Sequence, residues 1–387
     1  DETDTSAFLG KLEKLPCQEG AWMTKANGRY YLNYATPGTL TQWYSDVVME
    51  GPSPTGPFQP VDYSPAAMMA GGFIRSAGHG CFFQDRHGNW LRMGTMWIGV
   101  HNPFERRVGL FPAGFDSKGR LFTDTAFGDY PQSLPDGPHA VRMPQDNTPR
   151  WMLVSEQAVC SASSESPGHA AAQASDENVR TWWAAASDRK NEWLAMDLGE
   201  TRTIHAVQIN LGEQDPKTTA KAPATDGQKF ILQTSADGRS WKAVWDRSSL
   251  DQSSAHPLKW FNPPLVTRHL RVVNAADSAA GAFALRELRA FGKGNGASHE
   301  PVDTLAVRRL AEDDRFATFH WTPSPHADGY VLRFGVAPDA LHLAIRIRGG
   351  GTSRFTTHVL NRGAFYHFRL DSFNENGVTP GTLSSLK

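Results

Sequence analysis

Cysteine is scarce: Cys17, Cys81 and Cys160 are three thiols in a chain of 387 residues. So few, and odd in number, they exclude a disulfide scaffold. Long apolar runs are missing as well. None approaches the ~18 residues of a membrane span, so no membrane-spanning segment is expected. Charge of one sign is not in excess, with 39 basic against 40 acidic residues. That balance gives no electrostatic reason for nucleic acid or an anionic membrane as a partner. No long segment keeps a helical 3.6-residue period. The opening Asp1-Glu2-Thr3-Asp4 has neither the cationic start nor the apolar stretch of a secretory signal, and reads as a mature or cut end.

What is present is turn and strand. There are 35 Gly, 25 Pro and 12 Trp. Short alternating or apolar runs recur, broken at Asn27-Gly28, His87-Gly88, Lys118-Gly119 and Asp237-Gly238. The expected fold class is all-β, built of sandwiches, barrels or propellers. Two stretches read as linkers: the Pro-, Asp- and Gln-rich residues 131–150 and the Gly/Ser-rich residues 293–301. They place three domains at about 1–146, 147–294 and 299–387, within the usual ~50 to 250 residues each.

In the first segment, residues 19–35 read as strand, Asn-Gly turn, strand, and residues 79–92 repeat the plan around a His-Gly turn. Two such units suggest propeller blades. Four pieces then fall in order: Glu19-Gly20 before an apolar strand; Ser53-Pro54-Thr55-Gly56-Pro57-Phe58; Gly78-His79-Gly80 with Asp85 to Trp90; and Phe104 to Pro112 with Phe115-Asp116. This order resembles the later blades of glycoside hydrolase family 43 and its five-bladed-propeller relatives.

The resemblance implies an inverting hydrolysis that uses two carboxyl groups ~6.5–9.5 Å apart, one a proton donor and one activating water. Glu19 matches the donor. His79 matches a histidine near the propeller axis, where relatives hold water or calcium. Arg106 or Arg107 would put a cation beside the reacting sugar. Each has a plain reading too: a solvated loop glutamate, a histidine satisfying backbone, a surface ion pair with Glu105. The partner carboxylates belong to earlier blades. Two blades cannot close a propeller. The missing ones are therefore expected on upstream chain or on a second polypeptide, and this chain alone is not expected to hydrolyse glycosides. A decayed, non-catalytic remnant is the alternative. Cys17 and Cys81 would share the neighbourhood of Glu19 and His79, as free thiols or a pair.

In the second segment, Ser161 to Ser164, Gly168-His169, Ala174 to Asn178, Thr181-Trp182-Trp183, Trp193 to Gly199 and Leu288 to Gly292 follow one another. Trp193 to Gly199 alternates so that Leu194, Met196 and Leu198 share an apolar face. The whole order resembles the discoidin (factor 5/8 type C) sandwich, shared with carbohydrate-binding module family 32. That resemblance implies a structural calcium held by Asp176, Asn178, Thr181 and Glu287, all oxygen donors. The metal-free reading is a loop held by Asx turns. It also implies sugar contacts from Trp182, His169, Arg189, Gln214 and Phe283, with Trp183 in the core.

The third segment resembles a fibronectin type III sandwich. Trp321 stands as the core Trp, and Leu360 with Tyr366 as its tyrosine corner. A spacing or docking role follows. Together the three parts imply a glycoside hydrolase acting on a poly- or oligosaccharide, secreted or periplasmic, with a non-catalytic carbohydrate-binding protein as the alternative.

Overall fold

The computed structural model describes residues 17–98, 105–132, 136–138, 143–144, 148–156, 158–212, 214, 229–249, 255–277 and 281–386. The acidic opening stretch and Phe104 lie outside them. The described chain is all-β, as its turn-rich and helix-poor sequence implies.

The first segment forms two four-stranded antiparallel sheets. One runs β1 (Glu19–Ala26), β2 (Arg29–Thr36), β3 (Ser45–Gly51) and β4 (Gln59–Pro60) in simple order. The other repeats it with β5 (Cys81–Gln84), β6 (Trp90–Trp97), β7 (Arg106–Phe115) and β8 (Leu121–Thr123). The β1–β2 turn has positive φ at both Asn27 and Gly28, the geometry that makes Asn-Gly a tight-hairpin signal. In the β5–β6 and β7–β8 loops a carboxylate does the folding. Asp85 Oδ1 accepts from the backbone N–H of His87 and Asn89, and Asp116 Oδ1 from that of Lys118 and Arg120. Tyr31 and Val48 of the first sheet share a core with Phe82, Ala113 and Leu121 of the second. The two sheets thus stack face to face, as propeller blades do.

The second segment is a compact unit of its own, Trp151–Gly296. Its strands are β9 (Met152–Leu153), β10 (Val159–Ala162), β11 (Trp183–Ala184), β12 (Trp193–Leu211), β13 (Phe230–Ser235), β14 (Lys242–Asp246), β15 (Leu258–Asn274) and β16 (Ala284–Lys293). The long β12 and β15 carry bulges near Asp197 and Ile204 that bend them. Leu194, Met196 and Leu198 face inward, as their alternation requires, onto Trp183, Phe230, Leu270 and Leu288.

The third segment is a two-sheet sandwich. One sheet holds β17 (Leu305–Arg309), β18 (Ala317–Trp321) and β21 (Arg354–Thr357). The other holds β19 (Gly329–Gly335), β20 (Leu343–Arg348), β22 (Tyr366–Asn374), β23 (Gly377–Thr379) and β24 (Leu383–Leu386). Trp321 packs edge-on to Tyr330 in its core, and the Tyr366 hydroxyl accepts from the Asn361 N–H at 3.2 Å. This sandwich forms one compact unit with the residues up to Arg150. Met68 and Ala70, from the first segment, sit in its hydrophobic core.

Candidate functional site

The first site begins at the start of β1. Gly20 has φ +64, and a Cβ there would lie 2.5 Å from the His79 ring. Only glycine lets β1 begin so close to that imidazole, so the Glu19-Gly20 pair has a steric cause. The result is that Glu19 Oε1 lies 4.0 Å from His79 Nδ1, with the two side chains 37% and 44% exposed. The carboxyl group is reachable from solvent yet held. Its holder is Tyr44, fully buried, whose hydroxyl donates to Glu19 Oε1 at 2.6 Å. Burial and the neighbouring carboxylate push the Tyr44 phenol well above its ordinary range, so it stays a donor.

His79 is fixed from below by Asp46. The Asp46 carboxylate accepts from the His79 N–H at 2.8 Å, the Gly80 N–H at 3.2 Å and Asn33 Nδ2 at 3.1 Å. It also pairs with Arg92 Nη2 at 2.6 Å, both side chains being fully buried. Four donors on one carboxylate hold the Gly78–Gly80 turn against the joint between the two sheets. Asp46 itself is therefore no base for water; it is the anchor of the turn. Gly78 lies flat on the Tyr44 ring, 2.5 Å from where its Cβ would be.

The two arginines part company because neighbours on a strand point opposite ways. Arg106 is exposed and its charge is felt at Tyr44, the residue that holds Glu19. Arg107 instead pairs with the buried Glu105 at 2.8 Å. Cys17 is exposed and Cys81 half-buried; both are free thiols, not a disulfide.

The second site is in the Trp151–Gly296 unit. The Trp182 ring stacks on His169 at 4.3 Å, lies under the Arg286 guanidinium at 4.9 Å, and its Nε1 donates to Gln214 at 2.9 Å. His169 Nδ1 is 3.2 Å from the Trp182 carbonyl. Trp182, His169 and Gln214 are thus brought together, with Arg286 as a member that sequence reading missed. Arg189 is exposed on a separate loop that Asn274 Nδ2 pins through the Arg189 carbonyl at 2.8 Å. Phe283 corrects an expectation: it is 0% exposed and packs edge-on to Trp183. It fills the core and offers no face to a sugar.

The loop 176–181 is closed by its own side chains. Asp176 accepts from the Asn178 N–H at 2.9 Å and the Thr181 hydroxyl at 2.6 Å. Glu287 on β16 accepts from the Glu177 N–H at 3.0 Å. Glu177, unnoticed in the sequence, makes a buried pair with Arg289 at 2.6 Å that ties the loop to β16. Of the four expected calcium donors, Asp176, Asn178 and Thr181 lie in this loop, and Glu287 meets it at the Glu177 N–H. Among the described residues no three His, Cys, Asp or Glu side chains form a metal-holding group, so a cation here would lean on backbone carbonyls and Thr or Asn oxygens.

Two stretches of the chain match known family models. Residues 1–102 match the family model of glycosyl hydrolases family 43, and residues 159–288 that of the F5/8 type C domain. Coagulation factor V of Sus scrofa is 25% identical over 99 residues, 24% of this chain but 4% of that protein. A solved structure described as a glycoside hydrolase is 19% identical, covering 71% of this chain and 60% of that one, with a TM-score of 0.38. Chitosan-binding module 1 from a chitosanase/glucanase of Paenibacillus sp. IK-5 is 20% identical over 36% of this chain and 99% of its own, with a TM-score of 0.31. A family 32 carbohydrate-binding module from Clostridium perfringens, solved with galactose, is 19% identical over 36% and 98%, with a TM-score of 0.29. No helix among the described residues is long and apolar enough to cross a membrane.

Proposed function

We propose that this chain is the later-blade part of an inverting glycoside hydrolase with an attached sugar-binding unit, and that Glu19 is the proton donor. The observation that carries this is the Glu19 carboxyl group: open to solvent, beside His79, and braced by the Tyr44 hydroxyl, which itself feels the charge of Arg106. A donor must reach a glycosidic oxygen without wandering, and this bracing supplies that. Arg106 is the cation set to meet a sugar hydroxyl or the second carboxylate.

The second carboxylate comes from further blades of a five-bladed ring. Met93 and Val108 support this, since they remain 42% and 72% exposed on the face of the β5–β8 sheet that points away from the β1–β4 sheet. Such a face fits another blade, as the opposite face already does.

In the second unit, His169 stacked on the locked Trp182 is the sugar-facing pair, and Arg189, exposed on its own loop, is a further sugar contact. Calcium fits the loop 176–181 as a structural tie to β16, and the third segment fits a fibronectin type III sandwich through Trp321 and the Tyr366 corner. A polymeric substrate places the protein outside the cytoplasm, which cell fractionation checks. The test of the enzyme reading is hydrolysis of aryl glycosides by the whole protein with and without Glu19→Gln. Turnover undiminished by the substitution would remove Glu19 as the donor, and no turnover by the whole protein would leave only a glycan-binding protein.

A further inference from the structure

The residues between β4 and β5 do more than connect them. Residues 66–77 form an arm of small side chains, Ala66, Ala67, Ala70, Gly71 and Gly72 among them, closed where the Ser76 N–H donates to the Met69 carbonyl at 2.7 Å. One end of the arm lies on the C-terminal sandwich. A Cβ at Gly71 would sit 2.2 Å from the Arg346 carbonyl, and one at Gly72, where φ is +108, 2.3 Å from Arg346 Nη2. Arg346 on β20 reaches Asp129 with both carboxylate oxygens at 2.6 Å from Nη2, and the two side chains are 3% and 0% exposed. Asp129 also accepts from the Phe73 N–H in the arm at 2.8 Å. The rings of Phe127 and Tyr130 lie under the Arg346 guanidinium.

The other end of the arm meets the site. The Ser76 hydroxyl and the Ala77 N–H both donate to the Tyr44 carbonyl, at 3.3 and 3.1 Å. The next residue, Gly78, packs on the Tyr44 ring, and His79 follows it. Arg346 is thus linked through Asp129, Phe73 and one short arm to the residue that braces Glu19.

We propose that Arg346 is a positioning residue: the C-terminal sandwich sets the geometry of Tyr44 and His79 through it. A buried ion pair contributes little net stability compared with an apolar pair of the same size, so its value here is in fixing where the arm lies. The proposal deepens the reading of Glu19 as proton donor and rests on it for its functional meaning, but the geometry can be tested without turnover.

The experiment labels histidine Cε1 with carbon-13 in the full chain and follows the His79 ring signal at fixed neutral pH. The signal is assigned by its loss in His79→Gln. Arg346→Met and the milder Asp129→Asn are each expected to displace or broaden it, and Arg346→Lys to return it most of the way. Arg333→Met is the control. It breaks an equally buried pair, with Asp371 at 2.9 Å, inside the sandwich. It is expected to lower the melting temperature and leave the His79 signal in place. A His79 signal unmoved by Arg346→Met and Asp129→Asn, or moved as far by Arg333→Met, overturns the proposal. Failure of the proton-donor reading would show elsewhere, in turnover insensitive to Glu19→Gln.

Discussion

A single carboxyl group shows how much a residue's meaning depends on its neighbours. Glu19 and Gly20 are legible together, because the glycine is there for the His79 ring and the glutamate is carried into place with it. Tyr44, Asp46 and Arg92 were not legible. Each is one polar residue in or beside a strand, and the Asp46–Arg92 pair joins positions 46 apart in sequence, which leaves no spacing to read. Phe283 misled for a related reason: an aromatic residue at the end of a loop looks the same in sequence whether it faces a ligand or the core. The contrast between His169 and Phe283 is testable. His169→Ala should weaken glycan binding by the Trp151–Gly296 unit roughly tenfold, the worth of about one stacking contact, with little change in melting temperature. Phe283→Ala should instead cost about 3–5 kcal/mol of stability by opening a cavity. Calorimetric titration with oligosaccharides and denaturant unfolding separate the two effects.

At the scale of elements, turns and strand alternation carried most of the fold. Asn27-Gly28 made its hairpin, and Leu194, Met196 and Leu198 turned inward as a set. What pairs with what across segments did not follow from local pattern, because it depends on buried charges. Arg92→Met leaves Asp46 buried without its cation, so it should destabilise the two-sheet core by about 3–5 kcal/mol, read as a lower denaturant midpoint. The loop 176–181 offers another test at this scale. If calcium ties it to β16, a chelator should lower the melting temperature of this unit and added calcium should restore it. A melt unchanged by chelator would leave the Asx bonds, the Glu287 and Arg286 bonds to the loop backbone and the Glu177–Arg289 pair to fasten it.

For the whole molecule, the lesson is that three stretches of sequence form two compact units, because the C-terminal sandwich shares its core with the first segment. Composition could separate linkers but could not show that 297–387 returns to 1–150. One of the bonds between them predicts a pH effect. Asp116 faces His342 at 3.5 Å, pairs with Arg120 and accepts from the Lys118 and Arg120 N–H groups; against the upward push of burial, these contacts hold its carboxyl well below the usual range. A lowered folded-state value means its contribution is complete above the unfolded value of 3.8 and is lost as pH falls through the folded one. Acid unfolding of the first unit should therefore be shallower in Asp116→Asn than in the parent below about pH 4.

The central claim is that Glu19 gives its proton to a departing sugar oxygen. The most direct test compares two aryl glycosides on the completed enzyme, one whose phenol needs protonation to leave and one, a dinitrophenol, that does not. Glu19→Gln should slow the first by about 10²–10⁴ and the second far less. Equal loss on both substrates, or no loss on either, would contradict the assignment.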